Sequence, residues 1–265
     1  MATTTLHERE KKRMQLFLVL SGIFLANALL AELIGVKIFS GEAIFGMPGA
    51  QFNLLGYKLD FNLTAGVVIW PVVFITTDII NEYFGKDGVK KVSILTVLLI
   101  LYAFLVISVV TKLPPAQFWQ ELNSKDPQGN AFDINFAYNS VYRQGLGIII
   151  GSVTAFLVSQ FLDATVFHWL RRLTGSHKMW LRATGSTLVS QLIDSLVVLF
   201  IAFYAFGNWP LSQVISVAAI NYIYKFFIAI VLTPLLYVAH YVIDNYLGHV
   251  AAEELVEEAA IESGD

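Results

Sequence analysis

The sequence predicts an all-α integral membrane protein with six transmembrane helices, and three observations carry that expectation. First, the 265 residues are 56% apolar and only 14% charged, whereas a soluble domain carries about 25% charged residues. Second, the mean hydropathy is +0.65, and apolar runs of about 20 residues, enough to cross a hydrocarbon core as helix, recur along the chain. Third, Arg and Lys are concentrated in alternate polar segments, as expected of a chain that crosses a bilayer repeatedly. With no cysteine, disulfides, thiolate metal sites and Cys nucleophiles are excluded.

The chain divides into a basic lead (1–13), a transmembrane domain (14–243) and an acidic tail (244–265). The lead carries Arg9, Lys11, Lys12 and Arg13 and reads as a cytoplasmic anchor. The first span, about 14–39, carries Asn27, Glu32 and Lys37 in its second half. From Ser40 to Asn62 the apolar residues are broken by Gly41, Gly46, Pro48, Gly49 and Gly56, with partial alternation, so a short surface hairpin or re-entrant loop is expected. A second span, about 63–84, contains Pro71 and ends at Gly85 before Lys86, Lys90 and Lys91.

The third span, about 92–111, has few polar groups and reads as a scaffold helix. The Pro-bearing polar stretch 112–143 is expected to be a loop with a short helix near 116–122. Spans four and five, about 145–170 and 180–206, are joined by a basic turn, and span six covers about 211–243 with Pro234 inside it. An even number of spans leaves both ends on one side. The lead, the 85–91 loop and the 171–182 loop hold most of the basic residues, so that side is cytoplasmic. The tail, rich in Glu, is expected to be a solvated helix or a disordered end.

Polar residues inside apolar runs are the candidate site. A carboxylate at the bilayer centre costs at least about 2.5–3.5 kcal/mol, so an acid there lines a cavity or a polar path. The run ITTDIINEYFG, Ile75 to Gly85, places Asp78 and Glu82 on one helical face with Asn81 between them. VSQFLD (158–163) and VSQLID (189–194) repeat Ser, Gln and Asp at the same offsets. Gln160 and Asp163, like Gln191 and Asp194, share a face. Ser159 and Ser190 read as interhelical hydrogen-bonding groups. Asn221 and Lys225 lie four apart in the sixth span, and Lys225 is expected to pair with one of the acids. His168 and His240 read as interfacial residues.

The chain has no G-x-x-x-x-G-K-[ST] phosphate loop, G-x-S-x-G or H-E-x-x-H, and no His-bearing metal pattern. No enzyme, metal or cofactor is therefore expected, and a transport or binding role gains by elimination. The residues alone leave open which nutrient is handled and whether an energising partner or a homo-oligomer is required.

The run WPVVFITTDIINEYFGKDGVKK resembles the signature of the queuosine precursor transporter family, also described as a vitamin uptake transporter family. Trp70, Pro71, Phe74, Asp78, Asn81, Glu82 and Gly85 match, while Tyr83-Phe84 departs from the family's usual hydrophobic-Tyr pair. NALLAELIGVKIF and the two SQxxD segments are similar as well, so the resemblance covers about 16–241. It implies a six-span inner-membrane importer of 7-deazaguanine bases such as preQ0 and preQ1, used in tRNA modification, with no nucleic-acid contact of its own. It also implies a fold similar to the substrate-binding subunits of energy-coupling-factor transporters. Another vitamin or nucleobase on the same scaffold is the alternative. A guanine-like base presents adjacent N–H donors that a carboxylate accepts as a pair, and a flat face for an aromatic ring. The expected substrate residues are Asp78, Glu82, Asn81, Gln160, Asp163, Gln191 and Asp194, with Glu32, Asn27 and Lys225 behind them.

Overall fold

The computed structural model describes residues 2–35, 37–143, 146–175 and 178–262, and the side chains of 2–7 and 146–148 lie outside that description. Gly145, Ser176, His177 and Ser263 to Asp265 also lie outside the described residues. Helix α1 spans Ala2–Ile34, so the basic lead is the first part of the same helix that continues into the apolar run. Its core face is a heptad-like stripe of Leu16, Leu20, Phe24, Ala28 and Ala31.

The expected surface hairpin is present as two nested antiparallel pairs. Strand β1 (Ile38–Ser40) pairs with β4 (Asn62–Thr64), and β2 (Phe52–Leu54) pairs with β3 (Tyr57–Leu59). A four-residue helix α2 (Gly41–Ile44) follows β1. Leu55 and Gly56 turn the inner pair with φ of 50° and 88°. Both values are positive, as the two-residue turn of a tight hairpin requires. Glu42 organises the loop. Its carboxylate accepts the amides of Phe61 at 2.8 Å and Ala50 at 3.1 Å and the Ser40 hydroxyl at 2.9 Å. Chiefly through the Phe61 amide, its carboxyl is held down at about 2.

Helix α3 covers Trp70–Val110 but is broken at Gly85, where φ is 62° and ψ is −168°. A Cβ on Gly88 would lie 3.3 Å from Ile80 Cγ2. Residues eight apart in an unbroken helix are separated by about 12 Å along the axis, so the chain bends back sharply at Gly85 and its two arms pack together. The stretches expected as the second and third spans, about 63–84 and 92–111, fall largely on these arms. Five helical runs among the described residues are long and apolar enough to cross a membrane, counting α3 once. On the second arm Val89, Val92, Ser93, Thr96, Val97 and Ile100 are buried, while Leu95, Leu98, Tyr102 and Leu105 are exposed. That exposed stripe suits lipid and would be a liability in water.

After α3 come α4 (Gln117–Leu122), at the expected place, and α5 (Ile134–Tyr142), a helix within the stretch expected to be loop. Asp133 caps α5 by accepting the Phe136 amide at 2.9 Å. Helices α6 (Leu146–Thr174) and α7 (Met179–Leu199) form the most extensive helix pair, and α7 runs on as a π-helical segment over Phe200–Ala205. At Gly151 the two approach so closely that a Cβ would stand 3.1 Å from the Val198 carbonyl oxygen. Helix α8 spans Leu211–Leu247, with Pro234 inside it, and Gly248 with φ of 89° caps it.

Of the two alternatives expected for the acidic tail, a helix forms, but it is docked rather than solvated. It forms α9 (His249–Glu262), which buries Ala252, Leu255 and Ala259 against the bundle. Arg171 donates to the Val256 carbonyl at 3.0 Å, while Arg9 and Arg13 pair with Glu254 at 3.0 Å and Glu258 at 2.9 Å. Apolar residues at helical spacing give the tail a face to dock, and the basic lead neutralises its outer side. The lead, the tail and the α6 end thus lie together at one end of the bundle.

Candidate functional site

The end away from the tail holds a cavity of about 260 Å³. The end of α1 contributes Ala31, Glu32 and Gly35, and the foot of the hairpin contributes Ile38, Thr64, Gly66 and Val67. Trp70 opens α3, Ser152, Ala155 and Phe156 come from α6, and Asp194, Ser195 and Val198 come from α7. Asn221 and Lys225 of α8 complete the wall. Gly66 is required by close approach: a Cβ there would stand 2.8 Å from the Ala31 carbonyl oxygen. The hairpin itself is tied over this end, since Ser216 donates to the Leu54 carbonyl at 3.2 Å and Tyr57 Oη lies 3.3 Å from Ser212 Oγ.

The chemistry of the cavity is two carboxylates, one ammonium and aromatic walls. Ser152 donates a short hydrogen bond to Glu32, and Lys225 donates to Asp194 Oδ2 at 2.5 Å. Lys225 engages only one of the two Asp194 oxygens, and the buried Ser195 Oγ has no partner among the described residues. Trp70 and Phe156 sit with ring centroids 6.0 Å apart. The wall can therefore accept paired N–H donors, donate to an oxygen and cover a flat ring.

A second polar layer lies deeper in the bundle. Asp78 on α3 is 7% exposed and Asp163 on α6 is 5% exposed. Thr77 donates to Gln160 at 3.2 Å and Ser190 donates to Asp163 at 3.0 Å. Asp78 lines a separate small cavity of about 20 Å³ together with Thr184 and Thr187 of α7 and Thr233 of α8. Asn81 is fully buried, with neither amide atom partnered among the described residues.

A third cluster closes the tail end. Arg182 Nη2 donates to both oxygens of Glu82, at 2.7 and 2.9 Å, and Arg182 Nη1 donates to the Gly175 carbonyl at 2.7 Å. Tyr83 donates to Asp244 at 2.6 Å and stacks on His240 with centroids 5.1 Å apart.

These three layers sort the expected residues. Glu32, Asp194 and Lys225 meet in the large cavity, and Lys225 does pair with an acid. Asp78, Asn81, Gln160 and Asp163 belong to the deeper layer, and Gln191 is buried on α7 nearby. Glu82 is turned to Arg182, outside both cavities. Asn27 donates back to the Ile23 carbonyl of its own helix at 2.7 Å and lines neither cavity. The SQxxD repeats do not serve one common point: Asp163 meets Ser190, whereas Asp194 meets Lys225 nearer the other end.

Three readings change. Arg182 looked like a loop charge but sits in the first turns of α7, 1% exposed, because Glu82 supplies its counter-charge. His168 is fully buried rather than interfacial, lying on the α6 stripe of Asp163, Ala164, Phe167 and Arg171 that faces the core. Trp70, Phe156 and Ser195 line the cavity. The sequence marks Trp70 only through the family motif, and single apolar or hydroxyl residues such as Phe156 and Ser195 give no signal of their own.

The family described as "Putative vitamin uptake transporter" matches residues 64–239, which include Trp70, Asp78, Asp194 and Lys225. The chain belongs to this family. A "Probable queuosine precursor transporter" of Bacillus subtilis (strain 168) is 31% identical over 188 residues, covering 70% of this chain and 76% of the relative. A protein of the same description from Haemophilus influenzae is 28% identical over 185 residues, 69% of this chain and 71% of the relative. The "Queuosine precursor transporter" of Escherichia coli (strain K12) is 28% identical over 174 residues, 65% and 70% of the two chains. No solved structure matches the chain. As a member of the vitamin uptake transporter family the chain is a multi-pass membrane transporter of a small molecule and not an enzyme. Glu32, the hairpin and α9 lie outside the matched segment.

Proposed function

We propose that this transporter imports queuosine precursors, 7-deazaguanine bases such as preQ0 and preQ1, across a bacterial inner membrane for tRNA modification. The observation that carries this reading is the large cavity with Glu32, Asp194 and Lys225 on its wall beside Trp70 and Phe156. The ring N–H and exocyclic amine of such a base are adjacent donors for a carboxylate, its ring carbonyl accepts from an ammonium or amide, and its plane stacks on an indole. Glu32 or the second oxygen of Asp194 takes the donor pair, Lys225 or Asn221 the carbonyl, and Trp70 the ring face. A volume of about 260 Å³, just under the usual ~300–1,000 Å³ of drug-sized sites, suits a small bicyclic base. The names of the relatives favour the same substrate class.

Direction follows from charge. Arg9, Arg13, Lys86, Lys90, Arg171 and Arg172 gather at the lead-and-tail end, which by the positive-inside rule is cytoplasmic, so both termini are inside. The large cavity then faces outward, as an importer requires. Binding of preQ0, preQ1, queuine and guanine to the detergent-purified protein, by thermal shift and then calorimetry, tests the reading. Selective stabilisation by the deazaguanines is expected. A folded protein indifferent to all four overturns the assignment and favours another nutrient on the same scaffold.

A further inference from the structure

The deeper layer holds two buried acids and, among the described residues, no basic partner for either. Asp78 is 7% and Asp163 5% exposed, on the neighbouring helices α3 and α6. The titratable groups around them are Glu82 on the same helix as Asp78, His168 on the helix of Asp163, Arg182 on α7, and His240 and Asp244 on α8. Of these Arg182 is held by Glu82 and the Gly175 carbonyl. Two carboxyls in a water-poor interior are accommodated by a bound proton or by another positive charge beside them.

The geometry offers a place for it. The small cavity has about 20 Å³, and about 10–15 Å³ on this measure admits one water-sized species. Its polar lining is the Asp78 carboxylate with the hydroxyl-bearing Thr184, Thr187 and Thr233. Asp78 Oδ1 is buried without a hydrogen-bond partner among the described residues. One carboxylate with neutral hydroxyl oxygens suits a hard cation of single charge. Among the described residues no group of three acid or imidazole side chains could hold a metal ion.

The small cavity is also wired to the large one. Trp70, Phe74 and Asp78 occupy successive turns of one α3 face. Trp70 lines the large cavity, Phe74 and Asp78 line the small one, and the Trp70 and Phe74 rings stack at 5.8 Å. Helices α7 and α8 wall both cavities, through Thr187 and Asp194 and through Lys225 and Thr233.

We propose that the Asp78 cavity binds the coupling cation of transport, a single positive charge carried by Na+ or by a proton, and communicates with the substrate cavity through the Trp70–Phe74 stack. Coupling ions held near the substrate site by helix interiors are a common transporter arrangement. Coupling rests on the transport reading, but cation binding is tested without any base, so failure of the substrate assignment leaves this test readable.

The melting temperature of the purified protein is measured with NaCl exchanged for choline chloride at constant ionic strength, and across pH 5.5–8.5, for the wild type and Asp78→Asn. A Na+-dependent rise that Asp78→Asn abolishes, and that Thr187→Val weakens several-fold in half-saturation, identifies Na+. A pH dependence removed by Asp78→Asn, with Na+ neutral, identifies the proton. If Asp78→Asn does not fold, Asp78→Glu must shift the Na+ half-saturation or the pH midpoint. Equal responses of wild type and variants to both ions overturn the proposal. Where a base binds, its affinity should depend on the same ion in the wild type and lose that dependence in Asp78→Asn.

Discussion

Lys225 of α8 and Asp194 of α7 form an ion pair at the wall of the large cavity, with side chains 13% and 19% exposed. A pair so placed can open towards a ligand, each charge exchanging part of its partner for a group on the base. A charged hydrogen bond contributes about 1.5–3 kcal/mol, so Asp194→Asn should weaken deazaguanine binding roughly 10- to 150-fold. Calorimetry on the folded variant measures it, and unchanged affinity removes Asp194 from the site. The Asp194→Asn, Lys225→Met double variant restores neutrality, and should recover thermal stability while leaving binding weak.

Trp70 is proposed to cover the ring face. An aromatic pair adds about 0.5–1.5 kcal/mol beyond its buried area. Trp70→Phe should therefore cost only a few-fold in affinity and Trp70→Ala at least about tenfold, read by the same titration.

Glu82 and Arg182 hold the fold rather than the substrate. Breaking a buried pair by removing one partner costs about 3–5 kcal/mol, because the other charge is stranded. Arg182→Met should lower the melting temperature sharply, whereas Glu82→Gln with Arg182→Met should recover much of the loss. A single variant as stable as wild type would contradict this assignment.

The hairpin should carry an acid-sensitive latch. Glu42 has its carboxyl depressed to about 2 by the Phe61 amide and its neighbours, against an ordinary 4.5. Because the folded-state value is the lower, the stabilisation is complete above about pH 4.5 and drains away as pH falls towards 2. Hydrogen exchange across 38–64 should be slow and flat from pH 8 to 5 after correction for intrinsic rates, and faster below 4.5. In Glu42→Gln it should be faster throughout and lack that step.

Docking of α9 should depend on its apolar face more than its charges. The Arg9–Glu254 and Arg13–Glu258 pairs have side chains 43–56% exposed, and exposed pairs contribute about 0–1 kcal/mol. Changing both arginines to Gln should barely move the melting temperature. Leu255→Asp should move it by several degrees, since burial of one Leu is worth about 1.5–3 kcal/mol.

Membrane class, the positions of the apolar runs and the set of buried polar residues were legible in the sequence, because each is a local violation or fulfilment of the cost of polar groups in hydrocarbon. Glu32, Asp78, Asp163, Asp194 and Lys225 stood out for that reason, and the Gly-rich stretch after the first span announced its hairpin through turn chemistry. The partners were not legible. Glu82 meets Arg182 across 100 positions, and Asp194 meets Lys225 across 31. Nothing local records either distance. The docking of the tail is not legible in its charge: five Glu residues make 249–262 strongly acidic although eight of its residues are apolar, and only packing decides which of those eight face the bundle.

The sequence by itself determined that the chain lives in a bilayer, which residues are too polar to face lipid, and the family motif in α3. Only the tertiary structure decided how the acids divide: two beside a ligand-sized cavity, one on the wall of a water-sized one, one buried against Ser190, and one neutralised by a buried arginine. The physical reason is that burial cost depends on each residue's own chemistry, whereas its compensation depends on what the packing of α1, α3, α6, α7 and α8 brings within hydrogen-bonding reach.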